Sequence, residues 1–561
     1  MRQQIETTIA GIVADAYGFD GRVELTRPDA QFGDFATNIA LQLAKPAGRN
    51  PRELATELAD LLKPELDGLV GDVTIAGPGF INLTLTDAAL TTMAEQTVGQ
   101  TKAGKTVLAE YSDPNPFKPL HAGHLYTTLI GDMVARLNVA AGADVQRINY
   151  GGDVGLHVGK SMWAIIEWLG SEDPTGLDAV AEADRPAWLG ERYVQGNNAY
   201  EDDPDAKAAI VATNKRVYRL HTDGDRESGF ARIYWMCRQW SYDYFETLYG
   251  QLQVVPFDRY IPESEVTPLG VATVQEQLAA GVYERSGDAV VFDGERRGLH
   301  TRVFVNSEGL PTYEAKEVGL SLTKWQDYHF DESIIITANE QQQYMQVVLA
   351  SIAEFAPEAA GRTRHMVHGV VKLQGGVKMS SRKGNVVTAL EILESARTAG
   401  KESGVDHSES TILAAVRYAF AKNRLGSDIS YDPKESVALE GNSGPYLQYA
   451  HARARSVLAK APHDAGATGT PNATVYEADE RLLVRCLGEY AETVDKAVAE
   501  LMPHHICGYL YELAQIFNRF YEHNKVIGHE RQAVRVGLVR RYADTLKAGL
   551  GLLGIDAPDR M

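Results

Sequence analysis

Two histidines with two residues between them, His121 and His124, stand where a loop with three prolines (113–120) gives way to a helical pattern. Prolines keep such a loop out of a helix. The free backbone N–H groups and the dipole at the start of the following helix attract anions. The two imidazoles therefore favour phosphate binding, although a surface pair or a metal-binding pair would have the same spacing.

A second basic motif lies far along the chain, between glycines. Residues 378–385 read KMSSRKGN, and Gly375 and Gly376 stand just before them. A run of this kind is often only a solvated loop. However, each motif joins a predicted strand to a predicted helix. The helix after the second motif would begin with a capping box formed by Thr388 and Glu391. We expect the loop to bring Lys378 onto the β- and γ-phosphates of a nucleotide.

The chemistry that suits these residues is activation of a carboxylate by ATP. Attack on the α-phosphate builds negative charge on phosphate oxygens, and a protein catalyses it by positioning and electrostatic stabilisation. His121 and His124 are placed to donate to those oxygens. Gly123 lets the backbone approach the nucleotide closely. Lys118 is a further candidate cation.

Three regions of different pattern must position these residues. Residues 1–100 predict a small α/β unit, with helices at 36–45 and from 51 to about 62 and strands at 72–76 and 80–86. From 106 to about 395 short apolar strands alternate with helices, which predicts a Rossmann-like, doubly wound parallel sheet with insertions at about 160–330. Strands are expected at 106–112, 144–150, 333–337 and 366–373. Residues 396–561 predict only helices, as in a bundle.

Composition limits the class of protein. The chain has 561 residues and is 44% hydrophobic, so several domains with large cores are expected. It shows no apolar run long enough to span a bilayer and no signal sequence, which favours the cytoplasm and no membrane partner. Its three cysteines are far apart, which argues against disulfides and against a zinc site.

The net charge of −20 argues against a nucleic-acid partner only on average, because phosphate binding depends on local charge. Residues 519–547 contain seven Lys and Arg but only three acidic residues. This segment is either a solvated helix face or a contact for an anionic partner.

The two motifs resemble the HIGH and KMSKS signatures of class I aminoacyl-tRNA synthetases. Within that class, nearly the whole chain is similar to the arginyl-tRNA synthetase family. The segments that carry the resemblance are SDPNPFKPLHAGH at 112–124, GDFATNIAL at 33–41, GPGFIN at 77–82, NYGGD at 149–153, GPYLQYAHAR at 444–453 and LLGIDAPDRM at 552–561.

The resemblance implies ATP-dependent attachment of L-arginine to its tRNA through an arginyl-adenylate, with release of AMP and pyrophosphate. It implies catalytic roles for His121, His124 and Lys378. The implied ATP contacts are Lys118, Gly123, Met379, Ser380, Ser381 and Lys383, and the implied arginine contacts are Asn115, Glu263, Tyr313, Glu317 and Gln341. A planar, always charged guanidinium is best held by a fork of carboxylate oxygens, which lysine cannot satisfy equally.

The resemblance also divides the chain by partner. It implies that 1–100 contacts tRNA, that 106–395 is catalytic, and that 396–561 binds the anticodon arm. The candidate tRNA contacts are Phe35, Asn38, Tyr446, Tyr449, Arg453 and Arg455. Magnesium is expected to come with ATP, with no metal site in the protein. A monomer is expected, and arginine activation is expected to need bound tRNA.

Some positions depart from the family pattern, and other functions remain open. Glu317 stands where the family usually has Asp, Ser381 replaces the second lysine of KMSKS, and Gln341 is one of three consecutive glutamines. A cysteinyl-type synthetase would be expected to have a zinc site. A small-molecule nucleotidyltransferase would not need the long helical C-terminal part. A non-catalytic tRNA-binding relative would have lost one of the two signatures.

Overall fold

A computed structural model describes residues 1–374, 387–404, 408–462 and 475–561. The N-terminal unit packs helices on an antiparallel sheet of order β1-β2-β4-β3. Its elements are α1 (Arg2–Tyr17), β1 (Leu25–Thr26), β2 (Phe35–Thr37), α2 (Ile39–Ala47), α3 (Pro51–Glu65), β3 (Val70–Ala76), β4 (Phe80–Leu85) and α4 (Asp87–Ala94).

The central unit contains a five-stranded sheet in which every neighbouring pair of strands is parallel. The strand order is β12-β11-β5-β6-β7, so the chain winds outward from β5 in one direction and then from β11 in the other. The elements of this sheet and the helices directly joined to it are β5 (Thr106–Glu110), α5 (Ala122–Ala140), β6 (Asp144–Gly151), β7 (Arg259–Pro262), α10 (Glu263–Ala279), α11 (Tyr313–Tyr328), β11 (Glu332–Ala338), α12 (Gln342–Ile352), α13 (Pro357–Gly361) and β12 (Thr363–His368). Ligands of such sheets bind where the winding reverses, here between β5 and β11.

Two insertions flank the carboxyl ends of these strands. A helical insertion follows β6, and a small antiparallel sheet precedes α11. Their elements are α6 (Leu156–Leu169), α7 (Arg185–Asp202), α8 (Pro204–Thr222), α9 (Gly229–Gln251), β8 (Glu284–Ser286), β9 (Ala289–Phe292) and β10 (Arg302–Val305).

The C-terminal part is helical except for a short strand that pairs with β13. Its helices pack on one another and on α5. The elements are β13 (Val371–Leu373), α14 (Ala389–Glu402), α15 (Glu409–Ala421), β14 (Ile429–Tyr431), α16 (Pro433–Ser436), α17 (Gly444–Leu458), α18 (Ala478–Leu487), α19 (Tyr490–Glu500), α20 (His504–His523) and α21 (Gln532–Leu552). Among the described residues, none of the helices is long and apolar enough to cross a membrane.

The α/β fold class predicted from the sequence is confirmed, but several predicted elements were wrong in detail. The helix predicted at 36–45 begins only at Ile39, because residues 35–37 pair with β1 and β4. The strand predicted at 366–373 is two strands, β12 and β13. They separate at Gly369, where a side chain would collide with the backbone of Ser427. The sequence prediction also missed β7, the β8–β10 sheet and β14.

Candidate active site

A cavity of about 460 Å³ lies at the carboxyl ends of the central strands, where the winding reverses. Every residue that the sequence predicted for ATP or arginine contact in the described part of the chain lines it. These residues are Asn115, Lys118, His121, Gly123, His124, Glu263, Tyr313, Glu317 and Gln341. They come from four separate places in the sequence and are brought together by the ends of β5, β7 and β11 and the starts of α5, α10 and α11.

His121 and His124 form one wall of the cavity at the start of α5. Their rings stack with 3.7 Å between centroids. Nδ1 of His121 accepts the backbone N–H groups of Gly123 and His124, at 3.1 and 3.3 Å, and Nδ1 of His124 accepts the N–H of His121 at 3.3 Å. Because both Nδ1 atoms accept, each ring carries its proton on Nε2 as a donor.

Both histidines are neutral at physiological pH. Burial, and to a smaller extent the charge of the nearby Lys118, lower the pKa of His121 to about 4. Burial and the neighbouring His121 hold the pKa of His124 well below its ordinary value. The pair therefore offers two uncharged N–H donors, fixed by the helix start, to an anion such as phosphate.

Glu263 also lines the cavity and is not free. Its Oε2 accepts from the Nζ of Lys316 at 2.6 Å, and both side chains are at most 4% exposed. Burial raises the pKa of Glu263, and Lys316 counteracts that effect. Lys316 was not predicted from the sequence as a site residue, since a lysine beside an acid on one helix is usually on the surface.

Asn115 lies on a strained loop beside Glu263. Its Oδ1 accepts the backbone N–H of Gly152 at 3.2 Å, and a side chain at Gly152 would collide with it. Three non-glycine residues of this loop have a positive φ: Ser112 (78°), Asp113 (49°) and Phe117 (69°). Such backbone strain is typical of functional loops that the surrounding structure holds in place.

The floor of the cavity is acidic. Glu110 pairs with Lys324 at 2.5 Å, and both are at most 2% exposed. Glu317 lies nearby with an Oε2 that has no hydrogen-bond partner. Burial and the charge of Glu110 raise the pKa of Glu317 to about 8 and also raise the pKa of Asp113 well above its ordinary value. A cation entering here would find the unpaired Oε2 of Glu317 and would favour the ionised form of that carboxyl.

Other residues complete the walls without having been predicted. Arg302 pairs with Glu314 at 3.3 Å, and the hydroxyl of Tyr344 donates to the carbonyl of Tyr313 at 3.3 Å. Asp153 is fully buried behind the cavity. It accepts the N–H and the hydroxyl of Ser264 at 2.9 and 2.8 Å, which fixes the start of α10, where Glu263 stands. Of these residues, only Asp153 belongs to a segment that the sequence analysis had singled out, NYGGD at 149–153.

The second motif, with Lys378, Met379, Ser380, Ser381 and Lys383, lies outside the described residues. The residues on its C-terminal side are described and contact the first motif. The N–H of Ala122 donates to the carbonyl of Val387 at 2.7 Å, and the N–H of Ala389 donates to that of Leu120 at 2.9 Å. Thr388 and Glu391 form the predicted capping box of α14.

The candidate tRNA contacts differ in exposure. Phe35 is fully buried in the N-terminal core under the guanidinium of Arg27, so its ring has no surface to offer a partner. Asn38 is exposed, and its Oδ1 accepts a hydrogen bond from the side-chain amide of Gln42 at 2.8 Å. Tyr449 is 46% exposed.

Three other candidates have protein partners. Tyr446 accepts from Asn518 at 2.9 Å, Arg453 stacks on Tyr521 at 4.7 Å, and Arg455 pairs with Asp559 at 3.0 Å.

Much of the basic segment at 519–547 is neutralised within the bundle. Arg531 and Arg535 both bind the fully buried Glu480, and both also pair with Glu477. Removing Glu480 would leave Arg531 and Arg535 with only the exposed Glu477 as a countercharge, which is costly for buried or half-buried guanidiniums. These two arginines therefore stabilise the bundle and do not present free charge to a partner.

Comparisons with known proteins agree along the whole chain. A family model described as tRNA synthetases class I (R), catalytic domain, matches residues 86–426. The model of the arginyl tRNA synthetase N terminal domain matches 1–85, and that of the DALR anticodon binding domain matches 447–561.

Individual relatives give the same result. The chain is 31% identical to an arginine–tRNA ligase of Flavobacterium psychrophilum, over 83% of this chain and 81% of the relative. It is 28% identical to an arginine–tRNA ligase of Porphyromonas gingivalis, over 100% of this chain and 99% of the relative. Its fold is similar to the solved Thermus thermophilus arginyl-tRNA synthetase, with a TM-score of 0.79, 25% identity and full coverage of both chains.

Proposed function

The chain belongs to the arginyl-tRNA synthetase family of class I and carries out arginine tRNA aminoacylation, and we propose that the cavity beside α5 is where it does so. One observation carries this proposal. The neutral N–H donors of His121 and His124 and the acidic side chains of Glu263 and Glu317 line the same cavity, so one cavity offers contacts to both a phosphate and a guanidinium.

In the first step, the carboxylate of arginine attacks the α-phosphate of ATP, and pyrophosphate leaves. His121 and His124 donate from Nε2 to the phosphate oxygens as their charge grows, and Lys118 adds positive charge. Burial lowers the pKa of Lys118, while Glu263 supports its charged form. In the second step, a ribose hydroxyl at the 3′ end of tRNA attacks the arginyl-adenylate, giving arginyl-tRNA and AMP.

Recognition of arginine rests on the acidic floor. Glu317 and the remaining oxygen of Glu263 accept from the guanidinium, Tyr313 packs on the substrate, and Asn115 and Gln341 bind its polar groups. Lysine lacks the planar fork of donors, so it would leave acceptors unpaired in a buried site. A site of this kind can discriminate on the order of 10⁴-fold without editing.

The remaining assignments depend on the family resemblance. Lys378 binds the β- and γ-phosphates, and Lys383 shares that role. Met379, Ser380 and Ser381 contact the nucleotide. Magnesium accompanies ATP on its phosphates, as is usual for that ion. The imidazole and ammonium donors on this wall fit phosphate oxygens and do not themselves bind a cation.

For the tRNA, we propose contacts at Asn38 in the N-terminal unit and at Tyr449, Tyr446, Arg453 and Arg455 on α17. Exposed tyrosines stack on unpaired bases, and arginines bind phosphates. Phe35 is not included because it is buried. The proposed domains are 1–100, 106–395 and 396–561, and the proposed state is a cytoplasmic monomer.

The experiment is ATP–pyrophosphate exchange by the purified chain in the presence of tRNA, with arginine, lysine or citrulline. Citrulline has the shape of arginine but an uncharged urea group, so it tests whether the carboxylates select charge. We expect exchange with arginine and at least 10³-fold weaker kcat/KM with the other two. Comparable exchange with citrulline would contradict recognition by the acidic floor.

A further inference from the structure

One guanidinium, that of Arg417 on α15, binds three other elements in the protein interior. Its Nε donates to the carbonyl of Leu553 at 2.9 Å, directly after α21, and its Nη1 donates to the carbonyl of Leu252 at 2.6 Å, directly after α9. Its Nη2 pairs with the carboxylate of Asp132 on α5. Arg417 and Asp132 are both fully buried.

The carboxylate of Asp132 is itself fully bonded. Besides Arg417, it accepts from the Nε of Arg136 at 2.9 Å and from the backbone N–H of Val255 at 3.1 Å. Burial would raise the pKa of Asp132, but the two guanidiniums outweigh that effect and lower it. The buried pair is therefore ionised, and removing either partner would leave the other uncompensated, which is strongly destabilising.

Asp132 lies on the helix that carries the two catalytic histidines. It stands eight residues after His124, about 12 Å along the axis of α5 at 1.5 Å per residue. Nearer the histidines, the ring of Tyr126 on α5 packs edge-on against Phe420 of α15, with 5.5 Å between centroids. The two helices are thus joined at two points and run antiparallel.

A neighbouring face of α15 is held by the C-terminal helices. The hydroxyl of Tyr418 donates to the carbonyl of Cys507 on α20 at 3.0 Å. Gly444 at the start of α17 lies so close to α15 that a side chain there would meet the carbonyl of Ala414 at 2.2 Å. α15 therefore lies between α5 and the two helices, α17 and α20, that carry the proposed tRNA contacts and their partners.

The chain end is shaped to fit this guanidinium. Gly554 has a φ of 64°, and a Cβ there would lie 2.1 Å from Nη2 of Arg417. No other residue type fits at this position without displacing the guanidinium, because only glycine combines this φ with the absence of a side chain. Arg417 thus fixes the end of α21 and the position of α5 with the same group.

We propose that Arg417 is a positioning residue for adenylate formation: its directional bonds fix α5 against the C-terminal helices, and thereby set the histidines of the first motif. This inference rests on the proposed function. A point charge at this position cannot replace the guanidinium, because lysine donates from one atom and cannot reach Asp132, Leu252 and Leu553 together.

The test is R417K in the full-length chain, with R481K as the matched control. Arg481 also joins domains through two carboxylates, pairing with the buried Asp34 at 2.7 Å and the half-buried Asp87 at 2.5 Å, but within the described part of the chain none of its hydrogen bonds or ion pairs goes to α5. ATP–pyrophosphate exchange with saturating tRNA gives kcat and the arginine KM, and thermal unfolding gives Tm. We expect both variants to lose stability, whereas R417K alone loses tenfold or more in kcat with an arginine KM within twofold of wild type.

Each outcome decides the matter. If kcat per folded molecule of R417K equals that of R481K, Arg417 is only structural and the inference is wrong. The inference is also wrong if the activity of R417K falls through a higher arginine KM and not through kcat. If R417K does not fold, D132N is measured in the same way, because it keeps the volume and an acceptor for Val255. If the wild-type chain shows no arginine-dependent exchange, the proposed function itself fails, independently of Arg417.

Discussion

The backbone of His121 pairs with that of Thr388 in an isolated antiparallel bridge. The first described residues after the second motif are thus hydrogen-bonded to the loop and helix start that carry the first. The hydrogen bonds from Ala122 to Val387 and from Ala389 to Leu120 extend this contact on both sides. Because the chain leaves the second motif directly beside the histidines, these contacts support the proposal that Lys378 acts on the same triphosphate.

Replacing His124 by alanine should lower kcat for adenylate formation by about 10²–10³, as for the loss of one preorganised donor. The ring also supports His121 by stacking, so part of this loss comes through its neighbour. Pyrophosphate exchange measures the effect, and H300A, at an exposed position outside the cavity, serves as control. Unchanged turnover would remove His124 from the site.

Lys378→Ala should slow adenylate formation by about 10²-fold or more while leaving the arginine KM within a few-fold, because the lysine acts on phosphate charge in the transition state. Lys372 is the control: it lies six residues earlier on β13, is 67% exposed and pairs with Asp428. A change confined to arginine affinity would contradict the assignment.

Glu263→Gln should raise the arginine KM by about 10²-fold, because it removes one charged acceptor and leaves Lys316 unpaired in a buried site. The matched variant is E265Q, two residues later, where the carboxylate pairs with Arg259 at the surface. Steady-state kinetics with a thermal unfolding control separates lost recognition from lost stability. An arginine KM equal to that of E265Q would discredit this wall of the pocket.

Arginine binding should strengthen as pH rises from 6 to 8. In the arginine-free protein, burial raises the pKa of Glu317 to about 8, so the carboxyl holds a proton below that pH. A bound guanidinium favours the ionised form of Glu317, so arginine binding releases the proton. The affinity for arginine therefore falls by up to about tenfold for each pH unit below the pKa of Glu317. E317Q should flatten the dependence, and E314Q should retain it.

The proton held by Glu317 also determines how the free energy of unfolding changes with pH. Between the ordinary pKa of a glutamate and pH 8 the folded state binds a proton that the unfolded state does not, so the free energy of unfolding falls as pH rises through this range. Calorimetry of arginine binding in buffers of different ionisation enthalpy counts the released proton. No proton release at pH 7 would show that Glu317 is already ionised.

The sequence predicted the chemistry of the site better than its physical state. His121 and His124 were predicted from their position between a strand and a helix, whereas Glu263 and Glu317 were predicted from the family resemblance, and all four line one cavity. The neutral state of the histidines, by contrast, depends on burial, which no local pattern reveals. The partners Lys316 and Lys324 come from helix turns that read as surface, and only tertiary packing buries them.

In the C-terminal segment the sequence suggested more exposed positive charge than the structure shows. Counting charges over 519–547 suggested an exposed basic face, but Arg531 and Arg535 point inward to Glu480, an acid on α18 that is distant in sequence. Phe35 was selected as part of a family segment, yet it is a core residue of the N-terminal sheet. Both cases depend on which face of an element is covered, and that is decided by long-range contacts.

The decisive measurement is the charging of total tRNA with each of the twenty amino acids, by the purified chain with ATP and Mg²⁺. We expect arginine alone to be attached to tRNA, with AMP and pyrophosphate as products and with loss of the activity in H124A. Attachment of another amino acid at a comparable rate, or arginine charging that persists in H124A at the wild-type rate, would contradict the proposed function.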